Sequence, residues 1–126
     1  KIIIPALQKG KIILCDRFHD ATVAYQGYGL GLDKKLINSI GNFVMAGIKP
    51  DLTILFDIGV QEGLRRAGKN KDRIEQRPLD YHRRVRQGYL QIAKKDPCRV
   101  KIIKVDASIE IVQQRVKGLV ACLFRK

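Results

Sequence analysis

The chain has 126 residues, 45% hydrophobic and 6% aromatic, which is enough for one folded domain with an aliphatic core and excludes a disordered segment. Its 25 Lys and Arg against 12 Asp and Glu give a net charge of +13, but the cations are dispersed as on a solvated surface, so a nucleic-acid partner is not expected. No apolar stretch approaches the roughly 20 residues of a membrane span, which excludes a membrane partner.

Three short β-branched runs predict buried parallel strands, and helical patterns separate them. The runs are Lys11–Cys15, Leu52–Phe56 and Val100–Val105. Each is followed directly by an aspartate, namely Asp16, Asp57 and Asp106. The carboxyl ends of parallel strands form the edge where open α/β sheets bind ligands. The sequence therefore predicts an α/β fold with a ligand site at this edge.

Helical patterns flank the predicted strands. The apolar residues of 1–7 indicate the last part of a helix that begins further upstream. Leu32–Ile48 carries one apolar face and is closed by Gly47. A second helix is predicted over Pro78–Lys95, with its inner side formed by Tyr81, Val85, Tyr89 and Ile92. A third begins at Ser108, an N-cap residue, and continues to about Val120.

The cysteines help to define the compartment. Cys15, Cys98 and Cys122 form an odd set without CxxC or Cys/His spacing, which predicts reduced thiols and no zinc site. The first apolar residues are too few for a signal peptide. We therefore expect a cytoplasmic protein.

The most specific pattern follows the first predicted strand. Asp16 and Arg17 stand side by side at the expected ligand edge, where a guanidinium matches a pair of phosphate oxygens and a carboxylate can hold a Mg²⁺-bound water. Alone, such a pair is also typical of a surface ion pair. Its sequel is FHDATVAYQG at residues 18–27, and PDLT at 50–53 and DRIE at 72–75 follow in order.

This ordered set of motifs resembles the signature of bacterial thymidylate kinases over nearly the whole chain, from Ile4 to about Val120. The resemblance implies a P-loop-kinase-like parallel sheet with flanking helices. It also implies transfer of the γ-phosphoryl group of ATP to dTMP, with Mg²⁺ accompanying ATP, to supply dTTP for DNA synthesis. The intact enzyme is expected to be a homodimer, and Leu32–Ile48 is a candidate contact face.

The resemblance assigns roles residue by residue. Arg17 would bind the phosphate of dTMP, and Asp16 would lie near the phosphoryl-transfer centre with an indirect contact to the metal. Thr22 and Gln26 would contact the thymine edge. Tyr25 would pack against the deoxyribose and disfavour a 2′-hydroxyl. Each residue could instead be a capping or core residue, but their joint spacing favours the functional interpretation.

The assignment sets two structural requirements. Arg17 has to face Thr22, Tyr25 and Gln26, and Lys11–Cys15 has to lie in a parallel sheet.

The basic segment Arg65–Arg73, with sequence RRAGKNKDR, resembles the family's lid, which we place at about residues 65–75. Several cations on a glycine-containing loop can close over a polyphosphate and stabilise charge on the transferred group. We expect Arg66 and Arg73 to be the catalytic lid cations. A solvated charged loop is the alternative.

The sequence departs from the family pattern in several places. Ala21 stands where Ser is common, and Leu30 replaces the cation of the usual Gly-Arg-Gly. No GxxxxGK[ST] phosphate loop is present, and the glycines at 27, 29 and 31 are predicted to form a turn. We therefore expect residues 1–126 to be a single partial domain, the C-terminal part of a nucleoside monophosphate kinase. It would lack the family's first and second strands and be inactive alone.

Two other functions stay open at this stage. The chain could be a non-catalytic nucleotide- or nucleic-acid-binding remnant, for which a salt-sensitive affinity for DNA would be diagnostic. It could also belong to a kinase for another nucleoside monophosphate, which a comparison of dTMP, dUMP and dCMP binding would reveal.

Overall fold

The computed structural model describes residues 2–125. Its α-helices are α1 (Ile3–Gln8), α2 (His19–Thr22), α3 (Lys34–Met45), α4 (Val60–Ala67), α5 (Leu79–Lys95) and α6 (Ile109–Phe124). A seven-residue π-helix, Val23–Gly29, continues directly from α2. The strands are β1 (Thr53–Asp57) and β2 (Val100–Lys104). The predicted α/β class is confirmed.

The sheet consists of β1 and β2, which pair in parallel from Thr53 opposite Val100 to Asp57 opposite Lys104. Helices α4 and α5 lie between them in the chain and form the crossover that a parallel pair requires. Val100 and Ile103 are buried against the rest of the molecule. The second and third predicted strands are thus confirmed to within one residue at each end.

The first predicted strand, Lys11–Cys15, is wrong as a member of the sheet. The segment has no regular secondary structure, and the side chains of Ile12 and Leu14 are 72% and 95% exposed. Within residues 2–125 the two strands pair with each other, so this run has no strand beside it. A lone strand leaves its backbone groups unpaired, and an apolar pattern cannot supply the missing partner.

The predicted helices are confirmed, and their ends follow local chemistry. The Asp33 carboxylate accepts hydrogen bonds from the N–H groups of Lys35 and Leu36 at the start of α3. The Ser108 hydroxyl accepts one from Ile111 at the start of α6. Helix α1 covers most of the helical pattern predicted over residues 1–7, of which Lys1 lies outside the described residues.

The core lies where α5 packs against the π-helix. Ala24 is completely buried there, together with Tyr81 and Val85. A Cβ atom at Gly29 would lie 2.7 Å from the Tyr81 ring, and one at Gly88 would lie 2.6 Å from the Tyr28 ring. Glycine at both positions therefore allows the two helices to approach closely.

The prediction that the glycine run forms a turn is wrong for two of its three residues. Gly27 and Gly29 belong to the π-helix and are buried, whereas Gly31, with φ +74°, lies in the connection that follows. Gly27 and Gly29 are both closely packed, and an added Cβ at Gly27 would lie 2.9 Å from the Lys34 side chain.

None of the helices within residues 2–125 is long and apolar enough to cross a membrane.

Two glycine substitutions in helices should change stability in opposite directions. Gly88→Ala should lower the free energy of unfolding by about 1–3 kcal/mol, because its methyl group would overlap the Tyr28 ring. Gly118→Ala, where nothing lies within 4 Å of the new Cβ, should raise it by about 0.5–1 kcal/mol through helix propensity. Urea denaturation followed by circular dichroism measures both. Equal effects of the two substitutions would contradict the close packing of α5 on the π-helix.

Candidate active site

The predicted phosphate ligand, Arg17, lies over the ring of Tyr25, with its Cζ atom 5.2 Å from the ring centroid. Arg17 has φ 63°, a left-handed backbone conformation that is uncommon for a residue other than glycine. Such conformations persist only where the surroundings hold them and often mark ligand sites. This sharp turn lies just before α2. The Arg17 guanidinium lies over Tyr25, in the helical run that follows the turn.

Tyr25 is held by two tyrosines of α5. Its ring meets Tyr89 edge to face at a centroid distance of 6.0 Å and lies tilted against Tyr81 at 6.5 Å. Aromatic pairs in these arrangements contribute about 0.5–1.5 kcal/mol each beyond the area that they bury. The Tyr25 ring, over which Arg17 lies, is therefore also held in place by α5.

The other predicted substrate ligands lie on the same helical run. Thr22 is half-buried at the end of α2, and Gln26 is exposed in the π-helix, next to Tyr25. Asp16 is exposed beside Arg17 and lies close enough to Tyr89 to influence the pKa of its hydroxyl. π-Helical segments are rare and frequently occur at functional sites. Arg17 was required to face Thr22, Tyr25 and Gln26, and the structure shows its contact with Tyr25.

The predicted lid begins as a helix. Arg65 and Arg66 occupy the last turn of α4, and both donate hydrogen bonds to Glu62, at 2.7 and 2.8 Å. These bonds lower the pKa of the Glu62 carboxyl to about 2, and the bond from Arg65 has the larger effect. The expectation of a loop across the whole segment is corrected here, because ion pairs at helical spacing favour a helix.

Arg73 lies in the irregular part of the lid, within the DRIE motif. The Asp72 N–H donates to the Glu75 carboxylate at 2.9 Å, and the Glu75 N–H donates to the Asp72 carboxylate at 2.7 Å. This reciprocal pattern has the geometry of a capping box and closes the turn. It leaves Arg73 exposed at the surface of the turn.

One ion pair at the carboxyl end of β1 was missed by the sequence analysis. Arg86 donates two hydrogen bonds to Asp57, at 2.7 and 3.0 Å, and the Asp57 side chain is only 12% exposed. The bond to Asp57 raises the pKa of the Arg86 guanidinium. Asp57 was recognised at the ligand edge, but nothing in the pattern of α5 distinguished Arg86 from its basic neighbours.

A cavity of about 230 Å³ lies beside this pair. Tyr25 and Tyr89 form part of its wall, together with apolar residues of β1 and α4. His82 also lines it, and its Nε2 atom is buried without a hydrogen-bond partner among residues 2–125. Concave, largely apolar sites with a few convergent polar groups are typical of small-molecule binding.

The half-buried Tyr89 generates a prediction for alkaline pH. Burial, reinforced by Tyr25 and opposed by Arg17, raises the pKa of the Tyr89 hydroxyl from 10.0 to about 12. Because the folded-state pKa is the higher one, its contribution to stability is complete below pH 10 and lost as the pH rises toward 12. Tyr89→Phe should weaken the loss of stability over this range, as measured by urea midpoints at several pH values. If the urea midpoint falls with pH as steeply in Tyr89→Phe as in the unmodified chain, the pKa of the Tyr89 hydroxyl is not raised.

Comparison with known proteins identifies the family of the chain. A sequence model of the thymidylate kinase family matches residues 1–116. The chain is 44% identical over 126 residues to a thymidylate kinase of Kosmotoga olearia, covering 98% of this chain and 61% of that protein. It is 46% identical over 123 residues to a thymidylate kinase of Trichodesmium erythraeum, covering 94% and 53%.

A solved structure agrees with these relatives. The crystal structure of thymidylate kinase from Ehrlichia chaffeensis matches 96% of this chain and 55% of its own, with a TM-score of 0.72 and 34% identity. The chain thus spans between 53% and 61% of the length of these three proteins. The unpaired Lys11–Cys15 segment does not meet the second requirement set above, but identity of this extent outweighs one missing strand pairing. The chain belongs to the thymidylate kinase family.

Proposed function

We propose that the protein to which this chain belongs transfers the γ-phosphoryl group of ATP to dTMP, and that this chain supplies much of the dTMP site. The observation that carries the proposal is the position of Arg17 over Tyr25, at the start of the helical run that also bears Thr22 and Gln26. It supports the proposal because a guanidinium, which matches a phosphate, lies next to an aromatic ring. The family relationship supports dTMP as the substrate.

Arg17 would bind the phosphate of dTMP. A guanidinium attracted to the face of an aromatic ring keeps its N–H groups available for an anion. Arg offers these donors as a planar fork, which matches two phosphate oxygens at once. The left-handed backbone at Arg17 supports this role, because strain of this kind concentrates at ligand sites.

Tyr25 and its polar neighbours would select the nucleoside. The Tyr25 ring is fixed by Tyr89 and Tyr81, so it forms a rigid wall for the deoxyribose and disfavours a 2′-hydroxyl. Thr22 and Gln26 would form hydrogen bonds with the thymine edge. Selection of this kind is strong where a wrong base leaves a buried polar group unpaired.

Asp16 is the candidate for an indirect metal contact. Residues 2–125 contain no group of three or more His, Cys, Asp or Glu that could hold a metal ion. Mg²⁺ at kinase sites is bound by one or two carboxylates together with substrate phosphates and water, and a single exposed Asp16 fits this pattern. When bound with ATP, the ion neutralises charge on the phosphates.

Arg66 and Arg73 would stabilise charge on the transferred group. Arg66 would first have to leave Glu62, but water screens this exposed ion pair strongly, so an incoming polyphosphate can compete for it. Arg73 is presented by the closed turn of the DRIE motif.

We also propose a cytoplasmic location, which is supported by the free thiols of Cys15, Cys98 and Cys122.

Replacement of Arg17 tests the proposed function. Arg17→Met should weaken dTMP binding by about 10- to 100-fold, the loss expected for a hydrogen bond to a charged group, and leave thymidine binding nearly unchanged. Isothermal titration with both ligands measures the effect. Arg83→Met, which removes an exposed arginine paired with Asp80, is the matched control and should not alter either affinity. Absence of dTMP binding by the unmodified chain, or equal affinity of Arg17→Met, would refute the proposal.

We further propose that the enzyme is a homodimer whose subunits meet through α3. The apolar face of this helix is open, with exposed fractions of 58% at Leu36, 55% at Ile40, 87% at Phe43 and 74% at Val44. Continuous exposed apolar patches of this kind are typical of protein interfaces. The observation supports the contact face expected from the family.

A charge on that face should separate the subunits. Phe43→Glu is expected to convert a dimer into a monomer in light scattering coupled to size-exclusion chromatography, because it places a carboxylate in the contact. Ile109→Glu, at an 82% exposed position of α6, is the control and should leave the mass unchanged. A monomer before substitution, or a dimer after it, would exclude α3 as the contact.

A further inference from the structure

The Arg99 side chain joins three separate parts of the fold. It donates two hydrogen bonds to the Asp20 carboxylate, at 2.6 and 3.0 Å, and one to the Thr53 hydroxyl at 2.9 Å. A fourth, at 2.7 Å, reaches Asp96. The group links α2, the first residue of β1 and the turn before β2. We refer to Arg99, Asp20, Thr53 and Asp96 as the Arg99 clamp.

The clamp differs from most ion pairs of the described residues in its reach and its burial. Asp20 and Arg99 are 79 positions apart in the chain, and both side chains are only 17% exposed. Hydrogen bonding to Asp20 raises the pKa of Arg99, and hydrogen bonding from Arg99 lowers that of Asp96. Removing one partner of such a pair leaves the other charge buried and unpaired, which is strongly destabilising.

The clamp holds the start of the helical run that carries the proposed substrate ligands. Asp20 lies in α2, a helix of only four residues, and Tyr25 follows in the π-helix. Together α2 and the π-helix cover only residues 19–29, which is too short a run to be stable by itself, so its direction depends on external anchors. Arg99 provides the anchor to the sheet, whereas Tyr81 and Tyr89 provide the anchor to α5.

We propose that Arg99 is a positioning residue that sets the preference of the site for deoxyribonucleotides over ribonucleotides. By fixing Asp20 against Thr53, it fixes where the Tyr25 ring stands relative to the sugar of the substrate. A steric contact between Tyr25 and a 2′-hydroxyl changes steeply with distance. The long, exposed Arg17 side chain adjusts to a small displacement more easily, so its contact with a phosphate changes less than the contact of Tyr25 with a 2′-hydroxyl. This inference rests on the proposed function.

The experiment compares dissociation constants for dTMP and its ribonucleotide counterpart, 5-methyluridine monophosphate. In Arg99→Met the ratio of the dissociation constant for the ribonucleotide to that for dTMP should fall about tenfold, since displacements on the order of 1 Å cost up to about a hundredfold in such sites. Arg99→Lys should restore part of the ratio, and Thr53→Val, which removes the hydrogen bonds of Thr53 with Arg99 and Asp20, should lower it less. This variant and Arg99→Lys keep the test decisive if Arg99→Met does not fold.

The ratio separates positioning from stability. A lower folded fraction weakens the apparent binding of both ligands by the same factor and leaves their ratio unchanged. Ile103→Val, at a buried position of β2, provides a variant that is mildly destabilised away from the clamp. Arg115→Met, which breaks the exposed pair with Asp106, provides the arginine control. Both should keep the ratio of the unmodified chain.

The possible failures are distinguishable. Absence of dTMP binding by the unmodified chain would refute the proposed function. Normal dTMP binding with an unchanged ratio in Arg99→Met, even at reduced stability, would make the clamp purely structural and overturn the inference. Equal binding of the two nucleotides by the unmodified chain would also overturn it, while dTMP binding itself would stand.

Discussion

The close contact between the π-helix and α5 is the constraint on which the site depends. A sheet of two strands has little stability of its own, so the helices have to supply most of the core. Gly29 and Gly88 bring the helix backbones together, and Ala24 is completely buried between them. This approach places Tyr25 against Tyr81 and Tyr89. The ring beneath Arg17 is therefore positioned by the same packing that forms the core.

Two bidentate ion pairs connect α2 and α5 to the ends of β1. Asp20 and Arg99 meet beside Thr53, where the strand begins, and Arg86 binds Asp57, where it ends. Partly buried ion pairs add little net stability, because desolvation offsets much of their attraction. Their fixed geometry nevertheless limits how the helices can slide along the strand. In this fold, packing holds the helices together and charge sets their register.

The sequence predicted those features that depend on local chemistry. Helices α3, α5 and α6 and both strands were located because periodicity and capping act within a few residues. Lys11–Cys15 was misjudged because a strand needs a neighbour, which its own pattern does not contain. The glycine run was misjudged because the Tyr81 ring that it accommodates lies some fifty positions further along the chain. Arg99 was overlooked because its partner Asp20 is 79 positions away. The sequence singled out both Arg17 and Tyr25, which are in contact, because they belong to one contiguous motif.

In the proposed lid, an ion pair with Glu62 occupies Arg66, the proposed catalytic cation. The pKa of Glu62 is about 2, so the carboxylate stays charged at any physiological pH and does not release Arg66 by protonation. The pair is exposed, however, and water screens it strongly. An anion with several charges concentrated on a few oxygens can therefore draw Arg66 away where a proton cannot. If the proposed function holds, the polyphosphate of the substrate itself is the agent that recruits this arginine.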